Sequence, residues 1–186
     1  MPDVIVKVGG GLLASIEELD RVLVGIGELA QRCRTLVIPG GGPFADEVRR
    51  QDARLRLPDD AAHWMAVLAM DQYAHVLAAR LAHGAVVSTL DDARGQLDRN
   101  SVPVLAPSRW MQEADPLPHR WDVTSDSIAA WVAVQTTATA LVLIKPRGAT
   151  GHLVDDYFPR VVPSRLTPII VTADDAPAAL ARIASD

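Results

Sequence analysis

Near its N-terminus the chain reads Val4-Ile5-Val6-Lys7-Val8-Gly9-Gly10-Gly11. An apolar run that ends in consecutive glycines predicts a buried β-strand followed by a tight turn. A second run, Leu36-Val37-Ile38, ends in the same way at Pro39-Gly40-Gly41-Gly42-Pro43. Glycine allows backbone N–H groups to approach phosphate oxygens closely, and a following helix adds its positive end. The two turns therefore predict binding sites for two groups, a phosphoryl donor and an acceptor.

Lysine is rare in this chain, because only Lys7 and Lys145 among the 18 basic residues are lysines. Each stands at the end of an apolar run, and the later run is Leu141-Val142-Leu143-Ile144-Lys145. An ammonium group is a compact point charge that fits a cramped phosphate site better than the broad guanidinium fork. Ligands of open α/β sheets collect at the carboxyl ends of the strands, where both lysines would lie. The alternative is that the lysines only cap strand ends in solvent and the glycines only make turns.

Strand-like and helix-like segments alternate along the chain. This order predicts an α/β fold, a three-layer α/β/α sandwich with a mainly parallel central sheet. We expect a single domain over residues 1–186. The predicted helices cover residues 15–32, 46–54, 59–84, 90–97 and 125–137 and an Ala-rich C-terminal segment, and the later predicted strands cover residues 85–87, 102–105, 141–145 and 168–171. Residues 107–121 are predicted to form an irregular substrate-side loop.

Composition excludes several classes of protein. The chain is 49% hydrophobic and can bury a core, while a net charge of −5 and a pI near 5.5 argue against general binding to nucleic acid or anionic membranes. No apolar stretch reaches the ~20 residues that a membrane span requires. The N-terminus enters a strand without a signal-like segment, so we expect a cytoplasmic protein. The histidines share no recognised metal-ligand spacing, and no protein metal site is predicted.

A third motif, Thr124-Ser125-Asp126-Ser127, opens a predicted helix. Helix capping by Thr124 or Ser125 explains this motif on its own. The functional alternative is that Asp126 lies between the two lysines, pairs with both ammonium groups and helps to hold a Mg²⁺-phosphate assembly. Positioning and charge neutralisation supply most of the catalysis of phosphoryl transfer, which makes this role chemically reasonable. A Walker P-loop and a dinucleotide-binding fingerprint are both missing from the sequence.

These segments together resemble the amino-acid kinase superfamily, which includes acetylglutamate, aspartate and uridylate kinases. The resemblance covers almost the whole chain and implies the carbamate-kinase-like fold and phosphoryl transfer from ATP with Mg²⁺. It implies a transferred phosphoryl group held at the first glycine turn, an acceptor at the second turn, and an organising aspartate. The predicted catalytic residues are Lys7, Asp126 and Lys145; the predicted phosphate- and ATP-binding residues are Gly9, Gly10, Gly11, Ser125 and Gly148; the predicted acceptor-binding residues are Gly40, Gly41, Gly42, His63 and Asp71.

The chain departs from that family after the late strand, where many relatives read Thr-Asp-x-x-Gly and this chain reads Lys145-Pro146-Arg147-Gly148. A second catalytic lysine of some relatives comes from a later segment, which holds no lysine here. We therefore predict that Lys145 is its spatial substitute. The C-terminal nucleotide-binding part is short, which leaves base selectivity open and keeps a non-catalytic nucleotide or metabolite sensor as the alternative from another class.

The segments Asp59-Asp60-Ala61-Ala62-His63-Trp64, Met70-Asp71-Gln72-Tyr73 and Val154-Asp155-Asp156-Tyr157-Phe158-Pro159 resemble small family members encoded with methanofuran and tetrahydromethanopterin genes in methanogens and methylotrophic bacteria. This resemblance implies that an aminomethylfuran-methyl phosphate is phosphorylated to its diphosphate for one-carbon metabolism. Its cationic aminomethyl group would need a carboxylate such as Asp71. The alternatives are a polar stripe in which Asp71 pairs with His75, and a nucleoside-monophosphate or carboxylate kinase of the same fold. The apolar helix from Ala61 to Leu81 predicts a homodimer or higher homo-oligomer.

Overall fold

The structure is a computed structural model that describes residues 1–136 and 138–185. The strands are β1 (Val4–Val8), β2 (Thr35–Pro39), β3 (Gly84–Val87), β4 (Val102–Leu105), β5 (Ala140–Lys145) and β6 (Ile169–Thr172). The helices are α1 (Ile16–Ala30), α2 (Gly42–Leu55), α3 (Asp59–Arg80), α4 (Leu90–Leu97), α5 (Ser108–Ala114), α6 (Ser125–Thr136), α7 (Phe158–Val161) and α8 (Ala176–Ile183). A short 3₁₀ helix, Gly10–Ala14, separates β1 from α1.

The six strands form one sheet in the order β3-β4-β2-β1-β5-β6, and every pairing is parallel. β1 is central, with Lys7 opposite Ile38 of β2 and Leu143 of β5. β1, β2 and β5 are apolar along almost their whole length, as expected for parallel strands that are covered on both faces. Because all strands run in one direction, their carboxyl ends share one edge of the sheet. Both Gly-rich turns lie at that edge.

Two hydrophobic cores, one on each face of the sheet, show that the sheet is the middle of three layers. Val4, Val6 and Val8 of β1 pack in one core with α1, α8 and the second half of α3. Ile5 of β1 packs in the other core with side chains of α4, α5, α6 and α7. The predicted α/β/α sandwich with a parallel central sheet is therefore confirmed.

Most predicted elements are observed, and the differences have local causes. α2 begins at Gly42 rather than residue 46, because the second glycine turn leads directly into the helix with Pro43 in its first turn. α3 ends at Arg80, and the predicted stop, Gly84, instead begins β3. The prediction of an irregular loop over residues 107–121 is wrong for α5. Residue 137, the predicted end of α6, lies outside the described residues.

Helix α3 leaves apolar side chains in solvent. Met65 and Leu68 are 37% and 45% exposed on this 22-residue helix. They lie on one face, because residues three apart are neighbours on a helix surface. Oligomerisation through α3 stays a prediction. Within residues 1–136 and 138–185, no helix is both long enough and apolar enough to cross a membrane.

Candidate active site

Strand periodicity places the two lysines on the same face of the sheet. Side chains alternate between faces along a strand, so Lys7 shares a face with Ile5, and Lys145 shares one with Leu143. Lys7 is paired with Leu143 in the register, so Lys145 lies two residues further along the neighbouring strand. Helix α6 packs over β1 and β5 on this face. Its N-terminal turn therefore meets both ammonium groups.

Asp126, in the first turn of α6, lies between the two lysines. Its Oδ1 is 2.9 Å from Nζ of Lys7. Nζ of Lys145 donates to Oδ1 at 2.8 Å and to Oδ2 at 2.7 Å. The side chains of Lys7, Asp126 and Lys145 are only 5%, 6% and 12% exposed. We call these three residues the lysine cluster.

The pKa values of the lysine cluster reflect competition between burial and charge. Burial alone would raise the pKa of Asp126, but Lys7 and Lys145 together hold that pKa below its usual value. Burial and the neighbouring Lys7 ammonium lower the pKa of Lys145, and the Asp126 carboxylate opposes this shift. One carboxylate thus keeps two buried like charges together. The cluster carries a net positive charge at the carboxyl end of the sheet, which suits a phosphate.

The two glycine turns touch each other backbone to backbone. A Cβ built on Gly10 would lie 2.1 Å from the backbone nitrogen of Gly42, closer than any side chain tolerates. Gly42 itself has φ +54°, a left-handed conformation that glycine adopts without strain. The first glycine of each turn is used differently. The N–H of Gly9 donates to the Ile144 carbonyl and that of Gly40 to the Val8 carbonyl, each at 2.8 Å.

This use of the backbone corrects part of the sequence prediction. Gly9 and Gly40 extend the sheet hydrogen bonding, so their N–H groups are not available to a phosphate. The remaining glycines of the two turns face a cavity of about 670 Å³. Its lining includes Gly10, Gly11, Gly41, Gly42, His63 and Ser125 from the predicted site, together with Asp46, Arg49, Asp59, His119 and Trp121. Apolar side chains of α3 and α6, among them Met70 and Ile128, complete the wall.

His63 is buried at this cavity and stacks on His119. Their ring centroids are 4.1 Å apart with an interplanar angle of 13°. Burial and the nearby His119 lower the pKa of His63 to about 4, which leaves the ring neutral. Nε2 of His63 is buried, and no hydrogen-bond partner is found for it in the described part of the chain. His119 is held by Asp60 at 2.7 Å and Asp115 at 2.8 Å, and these contacts, led by Asp60, raise its pKa.

Residues 115–124 connect α5 to α6, and residues 119–121, 123 and 124 of this segment line the cavity. We call residues 115–124 the strap. His119 attaches the strap to Asp60 of α3. Trp121 attaches it to α2, because its indole N–H donates to Asp52 at 2.7 Å and the Arg49 guanidinium lies 5.1 Å from the ring centroid. The sequence analysis placed this segment on the substrate side of the protein, but it missed the role of His119. Aromatic residues in a segment without regular periodicity were the available signal.

The cavity lining does not include Lys7, Asp126 or Lys145, nor the predicted site residues Asp71 and Gly148. The Asp71 carboxylate accepts the Ser108 N–H at 3.1 Å and the Ser108 hydroxyl, and it is not part of the cavity lining. It therefore caps α5, which contradicts the predicted contact with an acceptor. Gly148 has φ +71° in the loop after β5, with open space around it and no place in the lining.

The comparisons with known proteins agree with this architecture. The [5-(aminomethyl)furan-3-yl]methyl phosphate kinase of Methanocaldococcus jannaschii is 30% identical over 128 residues, which cover 69% of this chain and 58% of that relative. The chain thus spans less than two thirds of the relative's length. Uridylate kinase from Archaeoglobus fulgidus has a TM-score of 0.72 at 15% identity and covers 97% of this chain and 96% of its own. UMP kinase from Bacillus anthracis has a TM-score of 0.61 at 16% identity, covering 83% and 68%.

At such low identity the two solved structures show a shared fold alone. The family match is more specific, because the model of the amino acid kinase family matches residues 3–146. That range contains both glycine turns and all three residues of the lysine cluster. The chain therefore belongs to the amino acid kinase family.

Proposed function

We propose that this chain is an ATP-dependent phosphotransferase that acts on a small acceptor already bearing a phosphate. The observation that carries the proposal is the lysine cluster, two buried ammonium groups held by Asp126 beside two touching glycine turns. A transferring phosphoryl group spreads negative charge over its oxygens, and fixed cations in a dry site stabilise that charge. Lys7 and Lys145 would contact those oxygens, and Asp126 would keep both ammonium groups charged and in place.

The match to the amino acid kinase family and the two buried ammonium groups support ATP with Mg²⁺ as the phosphoryl donor. When bound, ATP supplies the γ-phosphoryl group and Mg²⁺ neutralises its charge. Mg²⁺ commonly keeps several waters and binds through phosphate oxygens. The described residues hold no group of three metal-ligating side chains, so Mg²⁺ would enter with the nucleotide rather than occupy a protein cage.

The acceptor would occupy the 670 Å³ cavity, a volume within the usual range for small-molecule sites. A phosphate monoester is already largely ionised near neutral pH, since its second pKa is about 6. Its oxygen can attack without a general base, which agrees with a lysine cluster that offers cations and no free base. The apolar walls and the neutral His63 ring suit a flat, weakly polar ring. We propose an aminomethylfuran-methyl phosphate, the substrate named for the Methanocaldococcus jannaschii relative.

The aminomethyl group of that acceptor needs a carboxylate. Asp71 caps α5, so we propose Asp59, which lines the cavity at the start of α3, in its place. Asp59→Asn should raise the KM for the aminomethylfuran phosphate without changing the KM for its deaminated analogue. Asp71→Asn should affect both acceptors alike, because it loosens α5 rather than the contact with the amine.

ATP-to-ADP turnover with Mg²⁺ tests the proposal against a panel of acceptors. The panel contains the aminomethylfuran-methyl phosphate, UMP, acetylglutamate and aspartate, and Lys7→Met serves as the inactive control. Turnover that depends on the furan and is lost in the control supports a role in methanofuran biosynthesis. Turnover with another acceptor would support the kinase activity but show that the furan is not the substrate. ATP binding without turnover on any acceptor would favour a nucleotide sensor and contradict the proposal.

A further inference from the structure

Asp155, in the loop after β5, receives an unusual number of hydrogen bonds. Its Oδ2 accepts from the Thr124 N–H at 3.0 Å, the Thr124 hydroxyl at 2.7 Å and the Ser127 N–H at 3.1 Å. Its Oδ1 accepts from the Ser127 hydroxyl at 2.5 Å, the Tyr157 N–H at 3.2 Å and the Phe158 N–H at 2.8 Å. One carboxylate therefore ties the start of α6 to the start of α7.

These contacts fix the part of α6 that presents Asp126. The first N–H groups of a helix lack partners within the helix, and side-chain acceptors commonly satisfy them. Asp155 supplies this acceptor from a segment about 30 residues later in the sequence, and holds residues on both sides of Asp126. The Asp126 N–H also donates to the Thr124 hydroxyl oxygen at 3.4 Å. The backbone of Asp126 is thus anchored at its neighbours while its side chain is free for the lysines.

The saturation of Asp155 limits what else it can do. A carboxylate offers about four lone-pair positions, and six donors surround this one. It has no capacity left for a Mg²⁺ ion or for a substrate. Its negative charge nevertheless acts on the lysine cluster, since it raises the pKa of Lys145 against the effect of burial. Asp155 lies outside residues 3–146, the range matched by the family model.

We propose that Asp155 is a positioning residue that holds the first turn of α6 so that Asp126 stays between Lys7 and Lys145. This inference rests on the proposed phosphotransferase function and names a residue that controls it from outside the cluster. The hydrogen-bond partners that orient metal ligands typically contribute about 10–100-fold to activity, and we expect a comparable effect where the oriented group is Asp126. Asp155→Asn should therefore lower kcat by roughly 10- to 100-fold while the KM values for ATP and acceptor change less than about threefold.

The scarcity of lysine makes a direct test possible. Lysine labelled with ¹³C at Cε gives two signals in this chain, one from Lys7 and one from Lys145. The charged groups that face Lys145 are Lys7 from β1, Asp126 from α6 and Asp155 from the loop. In Asp155→Asn the Lys145 signal should shift and titrate at a lower pH than in the wild-type protein. The exposed neighbour provides the matched control, because Asp156→Asn should leave both lysine signals and kcat unchanged.

A second variant keeps the test decisive if Asp155→Asn does not fold. Thr124→Val combined with Ser127→Ala removes the hydroxyl donors and leaves the Asp155 carboxylate in place, and it should also move the lysine signals and lower kcat. A reduced kcat with wild-type lysine signals would show a merely structural effect and overturn the proposal. Wild-type kcat and wild-type lysine signals in the folded variants would also overturn it. The lysine signals do not depend on turnover. Shifted signals in a protein that phosphorylates no acceptor would therefore overturn the proposed function and leave the role of Asp155 in holding Asp126.

Discussion

The lysine cluster and the strap are held in different ways. In the cluster, three charged side chains are at most 12% exposed and contact one another at 2.7–2.9 Å. In the strap, His119 pairs with carboxylates of Asp60 and Asp115 that are 81% and 58% exposed. Charges interact strongly where water is excluded, whereas exposed pairs contribute about 0–1 kcal/mol. The cluster is therefore rigid in its charge arrangement, and the strap is weakly attached.

This difference indicates that the two regions have different functions in the site. Phosphoryl transfer needs cations whose positions are fixed before the reaction, because reorganising them during the reaction would cost energy. Acceptor entry needs the opposite, a cover that can move away at little cost. The cluster lies on strand ends and a helix N-terminus. The strap connects α5 to α6 and has no regular structure along most of its length.

Lys145→Met should give the largest effect. If Lys145 is the second phosphate-binding cation, losing its ammonium should lower kcat by about 10²–10³-fold, as removal of one preorganised donor typically does. Asp126 would still pair with Lys7, so the fold should survive. Steady-state turnover with the acceptor identified by the panel measures the effect.

Arg147→Met is the matched control for that variant, because Arg147 is an exposed cation two residues away that pairs with Asp174. It should change kcat by less than about twofold, as expected for an exposed pair. Equal turnover in Lys145→Met and the wild-type protein would show that only Lys7 contacts the phosphoryl group and would remove one of the two cations from the mechanism.

Sequence periodicity predicted the sheet well, because buried parallel strands are continuous apolar runs. β1, β5 and α4 were each located to within a residue by the runs at residues 4–7, 141–145 and 90–97. Helix α5 was not predicted. It has seven residues, contains one fully buried apolar side chain, Met111, and depends on Asp71 at its start. A helix that needs a distant carboxylate cannot be read from its own sequence.

The residues of the candidate site could likewise be predicted only in part. The juxtaposition of Lys7, Asp126 and Lys145 could be predicted because strand ends and a helix N-terminus have known positions in a parallel sheet. The place of Asp71 could not, since one polar residue on a helix has no sequence signal that separates a cap from an acceptor contact. Asp155 likewise stands beside Asp156, and only the tertiary structure shows which of the two reaches α6.

Gly10→Ala should give the next largest effect, and it should disturb the glycine turns beside the lysine cluster. The new Cβ would overlap the Gly42 backbone, so the two turns must separate. We expect a loss of about 1–3 kcal/mol in the free energy of unfolding, the usual cost of overpacking, together with weaker ATP binding. Gly27→Ala is the control, because nothing lies within 4 Å of a Cβ in the middle of α1. That change should stabilise the protein by roughly 0.5–1 kcal/mol. Similar melting temperatures for the two variants would contradict the close contact of the turns.

The His63 ring, which lines the cavity and stacks on His119, predicts a pH dependence of stability. Its pKa is about 4 in the folded protein, well below the ordinary value of 6.5 for an exposed histidine. The unfolded chain therefore binds the proton more readily, and stability that is fully present above pH 6.5 is lost as the pH falls towards 4. At pH 5 the loss amounts to about 2 kcal/mol. Urea unfolding at pH 7.5 and pH 5 should show this loss in the wild-type protein and a smaller loss in His63→Phe. An identical pH dependence in both proteins would mean that His63 is hydrated.

Trp121→Phe should give the smallest effect and should separate the two regions most clearly. The change removes the indole N–H that donates to Asp52 and leaves an aromatic ring beside Arg49. A single exposed hydrogen bond contributes about 1 kcal/mol, so the KM for the acceptor should rise a few-fold while kcat stays within about twofold. Trp110→Phe is the control. The centroid of the Trp110 ring lies 4.3 Å from that of Trp131 in the core, so this variant should leave the KM for the acceptor unchanged. A tenfold fall in kcat with an unchanged KM for Trp121→Phe would place the strap in the chemical step. The cover and the cluster would then act as one unit, because the attachment of the strap would control the positions of the cations as well as the entry of the acceptor.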